Sequence, residues 1–219
     1  MSYILNIETA TKNCSVSLAK NGETLICKEI SEQGYSHAEK LHVFIDEIIK
    51  ESSIAIVDLQ AIAVSQGPGS YTGLRIGVSS AKGLCYGVQI PLIAIDTLTT
   101  LALRVPQEDG LIIPMIDARR MEVYSAIFNS NKEMIREVQS EILTEETFIN
   151  ETKTIYFIGD SNEKAKSVLT KSNFIFLDDI KFPSANEMSS FSYAKFLKED
   201  FVDVAYFEPY YLKDFMFAR

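Results

Sequence analysis

Residues 65–87 read SQGPGSYTGLRIGVSSAKGLCYG, and six of the ten glycines of the chain (Gly67, Gly69, Gly73, Gly77, Gly83 and Gly87) fall within them. The apolar run LQAIAVS (residues 59–65) precedes this stretch and an apolar helical pattern follows, so the glycines mark a strand-to-helix turn. Gly67 and Gly69 let the backbone approach closely, and Ser70, Tyr71 and Thr72 bring amides to a helix N-terminus. Gly67, Gly69, Ser70 and Thr72 are therefore candidate contacts for an anion or a nucleotide phosphate. The spacing is neither GxxxxGK[ST] nor GxGxxG, and a tight turn feeding a close-packed helix accounts for the same residues.

In the helix, Leu74, Val78, Ala81, Cys85 and Val88 recur at core spacing, while Gly73, Gly77 and Ser80 form a second row of small residues. A helical glycine costs about 0.5–1 kcal/mol relative to alanine, so the row asks for compensation by close approach of another helix. A docking face is the expectation; a row turned into the protein's own core is the competing one. Arg75 and Lys82 share a further face, open to acidic groups or simply to solvent.

Outward from this element, 219 residues with 47% hydrophobic composition suffice for one large domain or two small ones. The formal charge of −9 argues against a surface that grips nucleic acid by itself, since phosphate neutralisation needs clustered Lys and Arg. Three cysteines (Cys14, Cys27, Cys85) without a CxxC pair, and an N-terminus lacking a basic region and a long apolar segment, fit a reduced cytoplasm. No apolar run approaches the 18 or so residues that span a bilayer.

In chain order, YILNI (residues 3–7), CSVSLA (14–19) and TLICKEI (24–30) read as strands, the last two joined through Asn21-Gly22, a strong hairpin signal. Ser36 and Glu39 form a capping-box pattern, and Leu41, Phe44, Ile45, Ile48 and Ile49 predict an amphipathic helix from about 36 to 52. The glycine-rich turn and its helix follow, then PLIAI (91–95) as a buried strand. Three strands, helix, strand, helix, strand is the order of the ribonuclease-H-like unit that occurs twice in actin, sugar kinases and Hsp70 ATPase domains. LIIPMI (111–116), EVYSAIF (122–128) and residues 133–138 repeat the three-strand opening. A short acidic helix from Thr144, a strand at 154–158, a helix at 162–169, a strand at 174–177 and a helix at 189–198 complete the repeat. The expected architecture is thus α/β, an actin-like (ASKHA) duplicated ribonuclease-H-like fold of two small subdomains with mixed sheets, residues 1–100 and 101–219.

Several residues invite a catalytic reading. His37 and His42, the only histidines, lie five apart on one helix and point about 140° from each other, so they do not converge on a metal. Glu8 ends the first strand, where ribonuclease-H-like enzymes place a metal ligand, but it lacks companions and Lys12 opposes a cation, which favours a hydrogen-bonding role. Asp117 with Arg119, Arg120 and Glu122 is either a charged active site or a hairpin turn with salt bridges. No GxSxG is present.

The run SQGPGSYTGLRIGVSSAKGLCYGVQIPLIAIDTL is similar to the signature of the TsaB (YeaZ) family. IETATKNCSVSLA at the start, MIDARRMEVYSAIF from Met115, the Gly159-Asp160 turn and FEPYYLK near the end extend the resemblance over nearly the whole chain. It implies a bacterial, actin-like protein that pairs with TsaD, the catalytic subunit placing threonylcarbamoyl on an adenosine beside the tRNA anticodon. It also implies an ATP-dependent third partner, TsaE, a homodimer when alone as an option, and contact with tRNA only through partners. The heterodimer would form through the first two helices, with Ser36, His37, Lys40, Gly73, Arg75, Ile76, Gly77 and Ser80 at the interface. TsaD relatives carry an HxxxH metal site just after the strand matching PLIAI; here Thr97 and Leu101 stand at those positions, and Lys12 and Asn13 replace the acidic pair after the first strand. The expectation is a non-catalytic subunit with no catalytic residue, no metal and no cofactor of its own, ATP being used by the complex. The alternative is a metal-dependent peptidase or nucleotide hydrolase of the same fold.

Overall fold

A computed structural model describes residues 1–31, 37–106 and 109–212. β1 (Tyr3–Glu8) is buried on both faces, which is why YILNI reads as a nearly continuous apolar run. Leu5 and Ile7 point to one side, and Ile4, Asn6 and Glu8 to the other. β2 (Cys14–Lys20) and β3 (Glu23–Ile30) pair antiparallel across the Asn21-Gly22 turn, where both residues have positive φ (50° and 87°). β4 (Leu59–Gly67) adds to β1 in parallel and β5 (Leu92–Asp96) to β4, giving the order β3-β2-β1-β4-β5.

The second sheet repeats that order strand for strand. β6 (Leu111–Asp117), β7 (Glu122–Phe128) and β8 (Met134–Ile142) form the antiparallel meander, and β9 (Ile155–Ile158) and β10 (Phe174–Phe176) add in parallel, giving β10-β9-β6-β7-β8. The loose sequence repeat is therefore a topological duplication.

α1 (His37–Ser52) and α2 (Tyr71–Val88) cover one face of the first sheet, with Leu41, Ile45 and Ile48 of α1 and Val78, Ala81 and Cys85 of α2 packed on Leu5, Ile7, Val16 and Val64. Ser36, the expected cap of α1, lies outside the described residues. The opposite face is covered from the far end of the sequence: Ala185 and Met188 of α5 (Ala185–Leu197) pack on Ile4, Ala61, Ala63, Ile93 and Ile95. In exchange, α3 (Thr97–Leu103) leaves the first sheet to pack Leu98, Leu101 and Ala102 on Ile112, Ile116, Ala126 and Phe128 of the second. Residue 100 thus falls inside a helix that serves the other half. The chain from Pro183 onward belongs spatially with the first sheet: Asn13 donates to the Pro183 carbonyl at 3.0 Å, and Val202 bridges to Leu92.

One helix is unexpected, and three expected elements differ in extent or kind. α3 goes unpredicted because all of Thr97 to Ala102 is buried, leaving no polar face to mark a helical period. α5 starts at Ala185 rather than Ser189, since Ser184 caps it and the buried side of its first turns carries Ser189 and Ser192 instead of apolar residues. After Thr144 the chain makes successive turns, with the Thr144 amide donating to the Thr147 hydroxyl at 2.9 Å, and α4 (Asn162–Lys166) ends short of the expected Leu169.

Candidate partner face and the carboxylates at the strand ends

The glycine-rich turn closes on the protein itself. A Cβ on Gly69 would lie 2.2 Å from the Ala10 carbonyl oxygen, one on Gly73 2.1 Å from the Thr9 carbonyl oxygen, and one on Gly77 2.2 Å from Thr9 Oγ1. The Ser70 amide donates to the Ala10 carbonyl at 2.7 Å, Thr9 Oγ1 donates to the Gly73 carbonyl at 2.8 Å, and the Ser70 hydroxyl caps α2 by accepting from the Gly73 amide at 3.3 Å. Gly67, at φ +119°, has the Tyr210 carbonyl against its α-carbon, and the Tyr210 amide donates to Gln66. Two expectations are corrected here. Gly67 and Gly69 have backbone of Tyr210 and Ala10 in the space an anion would need, and the Ser70 amide is spent on the Ala10 carbonyl; of the four, Ser70 and Thr72 are exposed. Gly73 and Gly77 are buried against Thr9, so the small-residue row faces the protein's own first strand and not a partner.

The outward stripe of α2 is a different one: Thr72, Arg75, Ser79, Gly83, Tyr86 and Gly87 are exposed. A Cβ on Gly83 or Gly87 would meet nothing within 4 Å, so no packing among the described residues accounts for those two glycines. Arg75 lies over the Tyr71 ring at 4.6 Å, and Tyr71 stacks obliquely on Tyr211. Ile76 is half-buried against the core, and Lys40 is half-exposed on α1. Ser80 is committed within the chain, 3.2 Å from His42 Nε2, which joins α1 to α2. His37 donates from Nε2 to the Thr11 carbonyl at 2.7 Å. Lys82 is half-buried and donates to the Ala205 and Phe207 carbonyls. A groove of about 560 Å³ runs between Gly83 and Tyr86 on one side and Asp203, Val204 and Ala205 on the other.

At the carboxyl ends of β1, β4 and β5, the place where open α/β sheets put their ligands, stand Glu8, Ser65 and Asp96. Glu8 is fully buried; its Oε1 accepts the Ala10 amide at 2.6 Å, while Oε2, Ser65 Oγ and Thr97 Oγ1 have no hydrogen-bond partner of normal geometry. Burial pushes the Glu8 carboxyl up to about 7, with the Ala10 amide and Ser65 pulling the other way and Asp96 adding to the rise. Burial likewise pushes Asp96 up to about 6, although it caps α3 by accepting the Thr99 amide at 3.0 Å. Thr97 and Leu101, at the positions of the transferase histidines, are both fully buried, and among the described residues no three His, Cys, Asp or Glu side chains are grouped to hold a metal ion.

The Asp117 cluster is a hairpin turn with an ion pair. Lys164 of α4 pairs with Asp117 and donates to the Arg120 and Glu122 carbonyls at 2.9 and 2.5 Å. The interior contacts of Thr9 and Ala10 and the clamp by Lys164 carry no local sequence signal, since each joins residues more than 40 positions apart.

Two mixed five-stranded sheets of one repeated order, with α3 and α5 exchanged between them, define an α/β protein of the actin-like, ribonuclease-H-like class. The family described as TsaD: tRNA N6-adenosine threonylcarbamoyltransferase matches residues 28–207. The tRNA threonylcarbamoyladenosine biosynthesis protein TsaB of Haemophilus influenzae is 30% identical over 96% of this chain and 93% of its own length. Its Bacillus subtilis counterpart is 31% identical over 76% and 74%. The structure of YeaZ from Pseudomonas aeruginosa, 25% identical, covers 97% of this chain and 100% of its own with a TM-score of 0.82. The chain belongs to the TsaB family. Among the described residues no helix is long and apolar enough to cross a membrane.

Two tests follow from this geometry. Gly77→Ala should lower stability by about 1–3 kcal/mol, the usual cost of overpacking, and adding Thr9→Ala, which removes the offending hydroxyl, should recover part of that loss in a double-mutant cycle. Additive losses in urea unfolding would count against the Thr9 contact. The second concerns Glu8: its folded pKa lies above its unfolded value of 4.5, so the protonated form favours folding, and that contribution is lost as pH rises from 4.5 through 7. Glu8→Gln should therefore gain on the parent across that window, by on the order of 3 kcal/mol in total, and the gap should level off above it. A gap independent of pH in unfolding curves between pH 4.5 and 8 would contradict a buried, proton-holding Glu8.

Proposed function

We propose that this chain is the non-catalytic partner of a TsaD homologue, required for threonylcarbamoyl transfer to the adenosine beside the tRNA anticodon, and that it works in the cytoplasm. The observation that carries the partner reading is the pair Gly83 and Gly87. Each weakens α2 by about 1 kcal/mol relative to alanine, and neither is required by packing among the described residues. A second helix crossing that stripe closely supplies the missing reason. The interface then comprises the outer faces of α1 and α2: His37, Lys40, Arg75 and Ile76 from the resemblance, with Ser79, Gly83 and Gly87 in place of Gly73 and Gly77. The buried Thr97 and Leu101 support the non-catalytic half of the reading, because neither can ligate a metal as an imidazole does. ATP is consumed by the complex, with a TsaE homologue as third member, and this chain holds no nucleotide alone.

Reconstitution decides the role: with the TsaD and TsaE homologues, the enzyme that makes the threonylcarbamoyl adenylate, ATP, threonine, bicarbonate and tRNA, product should form only when this chain is present. Full product without it sinks the proposal. Metal bound to the purified chain with unaided peptide or ATP hydrolysis would favour the enzymatic alternative. For the interface, Gly83→Arg should melt at or above the parent temperature, arginine being the better helix former, yet lose over a hundredfold in affinity for the TsaD homologue if the added volume costs about 3 kcal/mol. Normal binding of a normally folded Gly83→Arg variant would remove this stripe from the interface.

A further inference from the structure

The turn Asp117-Ala118-Arg119-Arg120-Met121-Glu122 has no part in the interface proposed above. It reverses β6 into β7 through two successive arginines in the left-handed region, φ +73° at Arg119 and +51° at Arg120. Left-handed positions are ordinarily taken by Gly, Asn or Asp, because a larger side chain's Cβ crowds the following carbonyl there. Here the strained backbone is fixed from outside. Lys164 holds the Arg120 and Glu122 carbonyls and pairs with Asp117, whose carboxylate also accepts the Arg119 amide at 3.1 Å. The Asp117 amide in turn donates to Asp160 at 2.9 Å. Both arginines are exposed, and neither guanidinium has a hydrogen-bond or ion-pair partner among the described residues. Burial raises Asp160 from its ordinary value, while the Asp117 amide, Lys12 and Lys164 draw it back toward its ionised form. The acids of the turn's network are engaged elsewhere: Asp117 by Lys164, Asp160 by the Asp117 amide, and Glu122 by the Ser140 hydroxyl.

We propose that Arg119 and Arg120 form a phosphate-binding turn that contacts the backbone of the tRNA handled by the complex, an inference that rests on the function proposed above. The planar guanidinium fork matches phosphate oxygens two at a time, and a turn already clamped loses little freedom on binding. A hairpin tip is convex. Neither the groove beside α2 nor the 470 Å³ cavity bordered by Asn13, Glu29, Arg104 and Lys181 includes the two arginines. An enclosed nucleotide needs a concave site, whereas an extended phosphate backbone meets a tip. The turn stands at the carboxyl end of β6, the ligand edge of its sheet. With a net charge of −9 the chain does not hold RNA alone, so the contact operates when the partner supplies most of the affinity.

The test replaces the pair with the residues the backbone prefers. R119N/R120G should melt at or above the parent temperature and still assemble with the TsaD homologue, while the complex binds unmodified tRNA at least tenfold more weakly. The slope of log affinity against log salt should shrink by about 1.5, as expected for two lost phosphate contacts. R119K/R120K should keep that slope, since it keeps the charges. Unchanged affinity and slope in R119N/R120G, beside a parent complex that binds tRNA, overturns the phosphate turn alone. Loss of assembly with the TsaD homologue also overturns it, assigning the turn to a protein contact. A parent complex that neither binds nor modifies tRNA overturns the functional reading, and this inference falls with it.

Discussion

The structure depends on one close approach: the backbone of Thr9 and Ala10, leaving the first strand, lies against the first two turns of α2 at distances that no side chain tolerates. The Thr9 and Ala10 carbonyl oxygens sit 2.1 and 2.2 Å from where the β-carbons of residues 73 and 69 would be, and the Thr9 hydroxyl 2.2 Å from where that of residue 77 would be. The hydrogen bonds from the Ser70 amide to Ala10 and from Thr9 Oγ1 to Gly73 turn this absence of side chains into attachment. Because the approach fixes α2 on the first sheet, it determines which stripe of α2 is left outside. It also engages the Ser70 amide at the N-terminus of that helix, where the general rule for helix ends would put an anion. A motif that locally resembles a ligand cradle is here a joint between a strand and a helix.

The same joint brings Glu8 to the strand ends beside Ser65 and Asp96, a pair of carboxyls buried with no partner for Glu8 Oε2. Burial pushes each of them up from its ordinary value, and at Glu8 the nearby Asp96 adds to the rise. The second sheet treats its corresponding edge differently. Asp117 and Asp160 remain nearer solvent, and Lys164 spends its three donors on Asp117 and two carbonyls. Duplicated topology therefore does not duplicate chemistry: one edge buries a carboxyl without a full set of partners, and the other pairs its exposed carboxylate with a lysine.

The exchange of α3 and α5 ties the halves together. α5 meets the first sheet through polar contacts, the Ser17 hydroxyl donating to the Ala185 carbonyl at 2.7 Å and the Ser15 hydroxyl accepting the Ala185 amide at 3.0 Å, with Asn6 reaching Ser17 and Ser189. Such bonds hold a helix in one register because each leaves a buried polar atom unsatisfied if it slips. The serines that do this also weaken the apolar period by which a helix is recognised, which is why the start of α5 is displaced in a reading of the sequence.

What the sequence determined by itself is local. Alternation in residues 14–19, the Asn21-Gly22 turn, the apolar stripe of α1 and the glycine-rich strand-to-helix junction are properties of neighbours along the chain, and a period or a turn residue expresses them directly. The order of those elements was enough for a duplicated ribonuclease-H-like architecture, and the replacement of two histidine positions by Thr97 and Leu101 was visible without coordinates. Tertiary structure alone decided which glycines of α2 face inward. Gly73, Gly77, Gly83 and Gly87 all carry the same small side chain, and only the Thr9 carbonyl and hydroxyl, more than 60 residues away, separate the first two from the last two. It alone decided too that α3 and α5 change sheets and that Lys164 clamps the arginine turn. Packing between distant segments is set by shape and unsatisfied hydrogen bonds at the point of contact, and neither leaves a period in the sequence.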